Sequence, residues 1–156
     1  MTEYTYKYPR PALTVDIVIT RIKNDVAEIL LIQRLNPPFK DSWAFPGGFV
    51  DMNETLEQAA VRELQEETGL VDINIKQFKA YSAVNRDPRG RTVSVIFTGV
   101  ANENAKIKAG DDAKNATWFN IKQLPYLAFD HNKIITELLT NPQFQNQAAF
   151  SLNQHF

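Results

Sequence analysis

Three glutamates, Glu63, Glu66 and Glu67, stand in the stretch RELQEETG, with Arg62 just before them and Glu54 upstream. On a helix these carboxylates crowd one another. Like charges about 6 Å apart, at an effective dielectric of about 20, repel by roughly 2–3 kcal/mol per pair. Arg62 is the sole basic residue between Leu56 and Gly69, and one guanidinium cannot neutralise three acids. A divalent cation can. Oxygen donors of this kind select the hard ions Mg2+, Mn2+ or Ca2+, and such an ion acts as a Lewis acid and activates water. The competing reading is a solvated acidic face. Composition narrows the other metal chemistries. Cysteine is absent, and His131 and His155 are the two histidines. Disulfides, thiol catalysis and cysteine-ligated zinc are thereby excluded, and a multi-histidine centre is disfavoured.

The helix that must carry these acids is bounded by local chemistry. Thr55 and Gln58 form a capping-box pattern, so the helix is predicted from Leu56. Gly69 suits the left-handed position that ends it after Thr68. On a wheel of about 100° per residue, Glu63 and Glu67 fall about 20° either side of Leu56, among Ala59, Ala60 and Leu64, while Glu66 falls at the margin. The wheel therefore turns two carboxylates toward the core, where they are costly unless paired or bound to metal. Strands are predicted at Leu13–Thr20 and Ala27–Leu35, paired about the Asn24–Asp25 turn. Further strands are predicted within VDINIKQFKAYSAV and TVSVIFTGVA, and at Ala116–Asn120. WAFPGGFV reads as a short broken extension. A second helix is predicted over His131–Thr140, stopped by Pro142, with a short tail helix left open. Strands on both sides of one helix imply an α+β fold with a mixed sheet. Residues 1–156 read as one domain, with an N-terminal arm over 1–10 and a tail over 141–156.

With 156 residues, 44% apolar and 22% charged, the chain is long enough for one substantial core. A net charge of −1 supplies no general field for nucleic acid. The N-terminus lacks an apolar signal core and no run approaches a membrane span. The expectation is a cytoplasmic protein without a nucleic-acid or membrane partner.

The segment Gly48–Leu70 resembles the signature of the Nudix hydrolase family, G-x5-E-x7-R-E-U-x-E-E-x-G-U, at every specified position: Gly48, Glu54, Arg62, Glu63, Leu64, Glu66, Glu67, Gly69 and Leu70. Element order extends the likeness over roughly residues 9–140. The resemblance implies an α/β/α sandwich with a mixed central sheet. It also implies Mg2+ or Mn2+ held by Glu63, Glu66 and Glu67, with a glycine carbonyl, Gly47 or Gly48, as a further ligand. Arg62 would orient the glutamates, and Glu54 would support the loop or an outer metal. The implied reaction is attack of water on a phosphorus of a nucleoside diphosphate linked to a group X.

YPRPALTVDIVIT, NPPFKDSWAFPGGFV and RDPRGRTVSVIF look like the ADP-ribose pyrophosphatase branch, which implies a homodimer and a small nucleotide substrate. Asp87-Pro88-Arg89-Gly90-Arg91 resembles that branch's loop after the signature. Physically, Arg89 and Arg91 flank a glycine and suit phosphate or ribose oxygens; an ordinary hairpin turn is the alternative. Arg34 ends a strand beside the signature loop, either as a phosphate contact or as a surface charge. Asp111 and Asp112 resemble an acidic position that supplies a late metal ligand or general base in some relatives, with a polar turn as the alternative. Tyr4, Tyr8, Phe39, Trp43 and Phe129 are candidate stacking surfaces for adenine, Trp43 and Phe45 being better suited to the core. His131 reads as a helix cap or surface residue. Regulators of NAD metabolism that sense ADP-ribose also resemble this sequence. After Thr140, however, sixteen residues follow without Lys or Arg, which suits no DNA-binding winged helix.

Overall fold

The computed structural model describes residues 2–147. The first long strand, β1 (Ala12–Lys23), turns into β2 (Val26–Arg34) through Asn24 and Asp25. Both turn residues have positive φ, 48° and 61°, as a two-residue primed hairpin turn requires. Lys23 pairs with Val26, so β1 runs past Thr20 to the very turn. Two short strands follow, β3 (Trp43–Ala44) and β4 (Gly47–Phe49), then α1 (Leu56–Thr68). The remaining elements are β5 (Ile75–Tyr81), β6 (Thr92–Val100), β7 (Ala113–Asn120), α2 (His131–Leu139) and α3 (Pro142–Gln147).

The sheet is mixed. Its main path is β3-β2-β1-β6-β5, with β4 added to β1 and β7 added to β2. β1 and β6 are parallel, whereas the other pairs are antiparallel. Alternation along β1 sorts its side chains to two faces. Val15, Ile17 and Ile19 pack with Ala59, Ala60 and Leu64 of α1. Val18, together with Ile29, Leu31 and Ile96, packs against Ile134, Ile135 and Leu138 of α2 and Phe144 of α3. Helices therefore cover both faces of the sheet, an α/β/α arrangement.

Two predicted strands differ in extent. β5 begins at Ile75 rather than Val71, and Asp72 there has φ 57°, which breaks an extended run. β7 starts at Ala113, three residues ahead of the prediction, because Asn115 and Ala113 pair with Gln33 and Arg34 of β2. Pro142 does end α2 and then opens α3, with the Asn141 side chain accepting from the Gln143 amide at 2.9 Å. The tail beyond residue 147 lies outside the described residues. No helix of the described residues is long and apolar enough to cross a membrane.

The ends of α1 are held firmly. Thr55 and Gln58 form both bonds of the capping box, and Gly69 closes the helix at φ 74° with its amide on Gln65 O at 2.9 Å. Two carbonyls of the last turn receive amides from a distant loop, Lys108 N on Thr68 O at 2.9 Å and Gly110 N on Glu67 O at 3.2 Å. A side chain at position 110 would overlap the Glu66 carbonyl, so glycine is required by proximity. The same loop is tied at its start by buried Arg21, which donates to Glu103 O and Ala105 O.

Candidate active site

The phase of α1 distributes its acids unequally. Glu67 is buried, the Glu63 side chain is 12% exposed and that of Glu66 is 53% exposed. Arg62 binds more of them than one guanidinium usually does. It donates to Glu54 at 3.0 and 2.6 Å, to Glu63 at 2.7 Å, to Glu66 at 3.2 Å and to Phe49 O at 3.0 Å. Arg62's hydrogen bonds, with a further bond from the Asp51 amide, hold the Glu54 carboxyl down at about 2. Burial raises the Glu63 pKa despite Arg62. Glu67 lies beyond Arg62 and accepts instead from the Gly47 amide at 2.9 Å. Burial pushes its pKa up to about 8, against that hydrogen bond and with help from neighbouring Glu63 and Asp16.

Among the described residues, no three carboxylate or imidazole groups converge closely enough to hold a metal ion as they stand. The donor chemistry nevertheless fits a small hard cation. Glu63 and Glu67 offer oxygen atoms only, one of them a buried carboxylate short of partners. Gly48 provides the space, because a side chain there would overlap the Glu63 carboxylate. Without metal, the folded protein keeps a proton on Glu67 up to about pH 8, whereas an unfolded glutamate loses it near 4.5. The native state thus binds more protons across that window, and metal-free stability falls as pH rises through it. Mg2+ at about ten times its Kd is expected to raise Tm by about 3–6 °C, more at pH 8 than at pH 6, since it replaces that proton. Equal Tm in EDTA and Mg2+ at pH 8, read by differential scanning fluorimetry, would count against a cation here.

Two chambers meet over β4. The outer one, about 400 Å³, is lined by Glu63, Glu67, Arg62 and Asp112. The inner one, about 100 Å³, reaches Thr14, Asp16, Phe45, Arg86, Asp87 and His131. Arg34, Gly47, Gly48, Phe49, Glu67 and Arg89 border both. At this junction Phe129, held at φ 53°, carries two guanidinium groups on its ring, Arg34 at 4.9 Å and Arg89 at 5.4 Å. Arg89 also lies 4.8 Å from the Phe49 ring. Burial and the nearby Arg89 lower the Arg34 pKa, so an anion set between the two is favoured.

The arginine-rich loop is only partly what its sequence suggested. Asp87 is buried, borders the inner chamber and grips Arg89 through both backbone and side chain, at 2.9 and 2.8 Å, so it positions Arg89. Arg91 donates to Ser82 O at 2.9 Å and lines neither chamber. His131 is corrected: it is buried, stacked on Phe45 at 4.5 Å, and accepts the Phe45 amide on Nδ1 at 3.2 Å. Asp130 occupies the cap position and forms a two-pronged pair with Arg86. Trp43 packs edge-on against Phe119 at 4.7 Å. Tyr4 stacks on Tyr6 in the arm, and Tyr8 lines a separate groove with Met52. Asp16 and Ser94, hydrogen-bonded to each other across β1 and β6, escape the sequence motifs. The one signal for them is an acid inside the β-branched run LTVDIVIT.

A mixed sheet between helices, with a glutamate-bearing helix set against a glycine strand, defines the class. The NUDIX domain family matches residues 10–139, and the chain belongs to the Nudix family as a Nudix hydrolase. It is 46% identical to an ADP-ribose pyrophosphatase of Methanocaldococcus jannaschii, over 85% of this chain and 75% of that protein. It is 36% identical to an ADPR responsive transcriptional repressor, NtrR, of Acinetobacter baylyi, over 83% of this chain and 54% of the repressor. Among solved structures, the NUDIX domain of Shewanella oneidensis NrtR complexed with ADP ribose superposes with a TM-score of 0.78 at 33% identity, covering 88% of this chain and 96% of that one.

Proposed function

We propose that the protein hydrolyses ADP-ribose to AMP and ribose 5-phosphate with Mg2+ or Mn2+. The convergence of Arg34 and Arg89 over the Gly47–Gly48 backbone, beside Glu63 and Glu67, is the observation that carries this. The arginines grip the diphosphate, and both guanidinium groups are held beside the Phe129 ring. Glu63, Glu66, Glu67 and the Gly48 carbonyl would hold the metal, with Asp112 at the outer rim as a further ligand or base. When bound, the metal supplies Lewis-acid polarisation of phosphoryl oxygens and a water of lowered pKa. Arg62 fixes Glu54 and Glu63 in one orientation, so the carboxylates are set before substrate arrives. Water oxygen adds to one phosphorus, the bridging P–O bond breaks, and each product leaves with one phosphate.

Incubation with ADP-ribose and a few millimolar Mg2+ (enough for weakly held sites), with AMP followed by chromatography, tests this. AMP formed fastest from ADP-ribose among nucleoside diphosphate derivatives, and abolished by EDTA, is the expected result. Metal-dependent hydrolysis of another derivative would change the substrate. Tight binding without turnover would mark a sensor, like the repressor relatives. Arg89→Ala is expected to raise KM for ADP-ribose about tenfold or more, as loss of a charge-assisted contact does. Arg91→Ala should leave it unchanged, because that side chain serves Ser82 O. Equal effects in the two variants would dissolve the distinction.

A further inference from the structure

The proposed chemistry uses the outer chamber and the junction and leaves the inner end of the cleft without a task. A diphosphate held by Arg34 and Arg89 has two substituents, and one must point inward. There it meets a donor and an acceptor side by side. Asp16 Oδ2 accepts from the Ser94 hydroxyl, while Oδ1 faces Nε2 of His131 at 3.6 Å, longer than a formed hydrogen bond. Because His131 Nδ1 already accepts the Phe45 amide, the ring proton belongs on Nε2. A hydroxyl lodged against both atoms accepts from Nε2 and donates to Oδ1.

Charge and size sharpen the choice. Arg86 is paired with Asp130, and Arg89 is held at the junction by Asp87. Asp16 pairs with neither arginine and faces His131 instead. Burial opposes its ionisation, but His131, Ser94 and Arg86 outweigh burial and keep its pKa below the ordinary range. The chamber's volume of about 100 Å³ is below the about 150 Å³ of a cavity that holds benzene, so it admits the hydroxyl edge of a sugar and no nucleoside.

We propose that Asp16 and His131 form a subsite for a hydroxyl of the sugar on the second phosphate. The proposal rests on the reading of the substrate as a nucleoside diphosphate linked to a sugar. Isothermal titration calorimetry in EDTA, comparing ADP-ribose with the methyl ester of ADP, tests it. The ester keeps the nucleotide and the charge and lacks the sugar. Wild-type protein is expected to bind ADP-ribose about tenfold more tightly, as hydrogen bonds to a charged group allow. Asp16→Asn should bring the two ligands within about twofold of each other. If that variant does not fold, His131→Gln should show the same collapse. No preference in the wild type, or a preference that survives substitution, overturns the subsite. Turnover with Mg2+ is read separately. Asp16-dependent preference without hydrolysis keeps the subsite and removes the activity, whereas hydrolysis of ADP-ribose without the preference removes the subsite alone.

Discussion

Glu67→Gln is expected to lower kcat for ADP-ribose by about a thousandfold, or about 4 kcal/mol of barrier, with KM changed only a few-fold. The substitution is isosteric, and glutamine can still accept the Gly47 amide that now bonds Glu67 at 2.9 Å. What it removes is the buried negative charge. In metal-free protein that charge is a burden, since burial, with Glu63 and Asp16 nearby, pushes the Glu67 pKa up to about 8. The variant's Tm in EDTA should therefore equal or exceed that of the wild type at pH 8. The stabilisation by Mg2+ should shrink toward zero at the same time. Rate measurements and melting curves on one preparation check all three. Near-normal turnover would remove Glu67 from the metal set.

Arg62→Ala should act in the opposite sense on stability. Arg62 ties Glu54, Glu63 and Glu66 to one another and to the Phe49 carbonyl. Glu66 is half exposed, so its pairing contributes little. Glu54 and Glu63 are each 12% exposed, and losing their shared cation leaves two nearly buried carboxylates facing one another. A loss of about 2 kcal/mol in EDTA is expected, with Tm lower by about 4–8 °C. Saturating Mg2+ should restore part of it by supplying the missing positive charge. Turnover should fall by up to about a hundredfold, as when a group orienting metal ligands is lost. Arg62→Lys should rescue little, because one ammonium cannot span the same acceptors. A variant as stable as wild type in EDTA would show that the acids tolerate one another unaided.

Features decided by neighbours along the chain are legible in the sequence itself. α1 begins and ends where Thr55, Gln58 and Gly69 indicate, because caps are local devices. The burial of Glu67 follows from helix phase alone. What escapes a sequence reading depends on pairing between distant segments. Asp16 and Ser94 sit 78 residues apart and meet because β1 and β6 run parallel. His131 resembles a cap because it opens a helix, and only the placement of Phe45 shows it to be buried. Arg86, Arg89 and Arg91 are alike as a run. The Asp87 turn draws Arg89 to the junction, Asp130 takes Arg86, and Ser82 takes Arg91.

That parallel seam also sets the pace at which the molecule can be made. The 13-residue α1, with acids that repel one another, is too weak a helix to persist before it packs on β1. The cleft that gives them a substrate needs β6 to close on β1, a pairing of high sequence separation and correspondingly slow formation. Helix content and ADP-ribose affinity gained together in one slow phase is the kinetic pattern this topology implies.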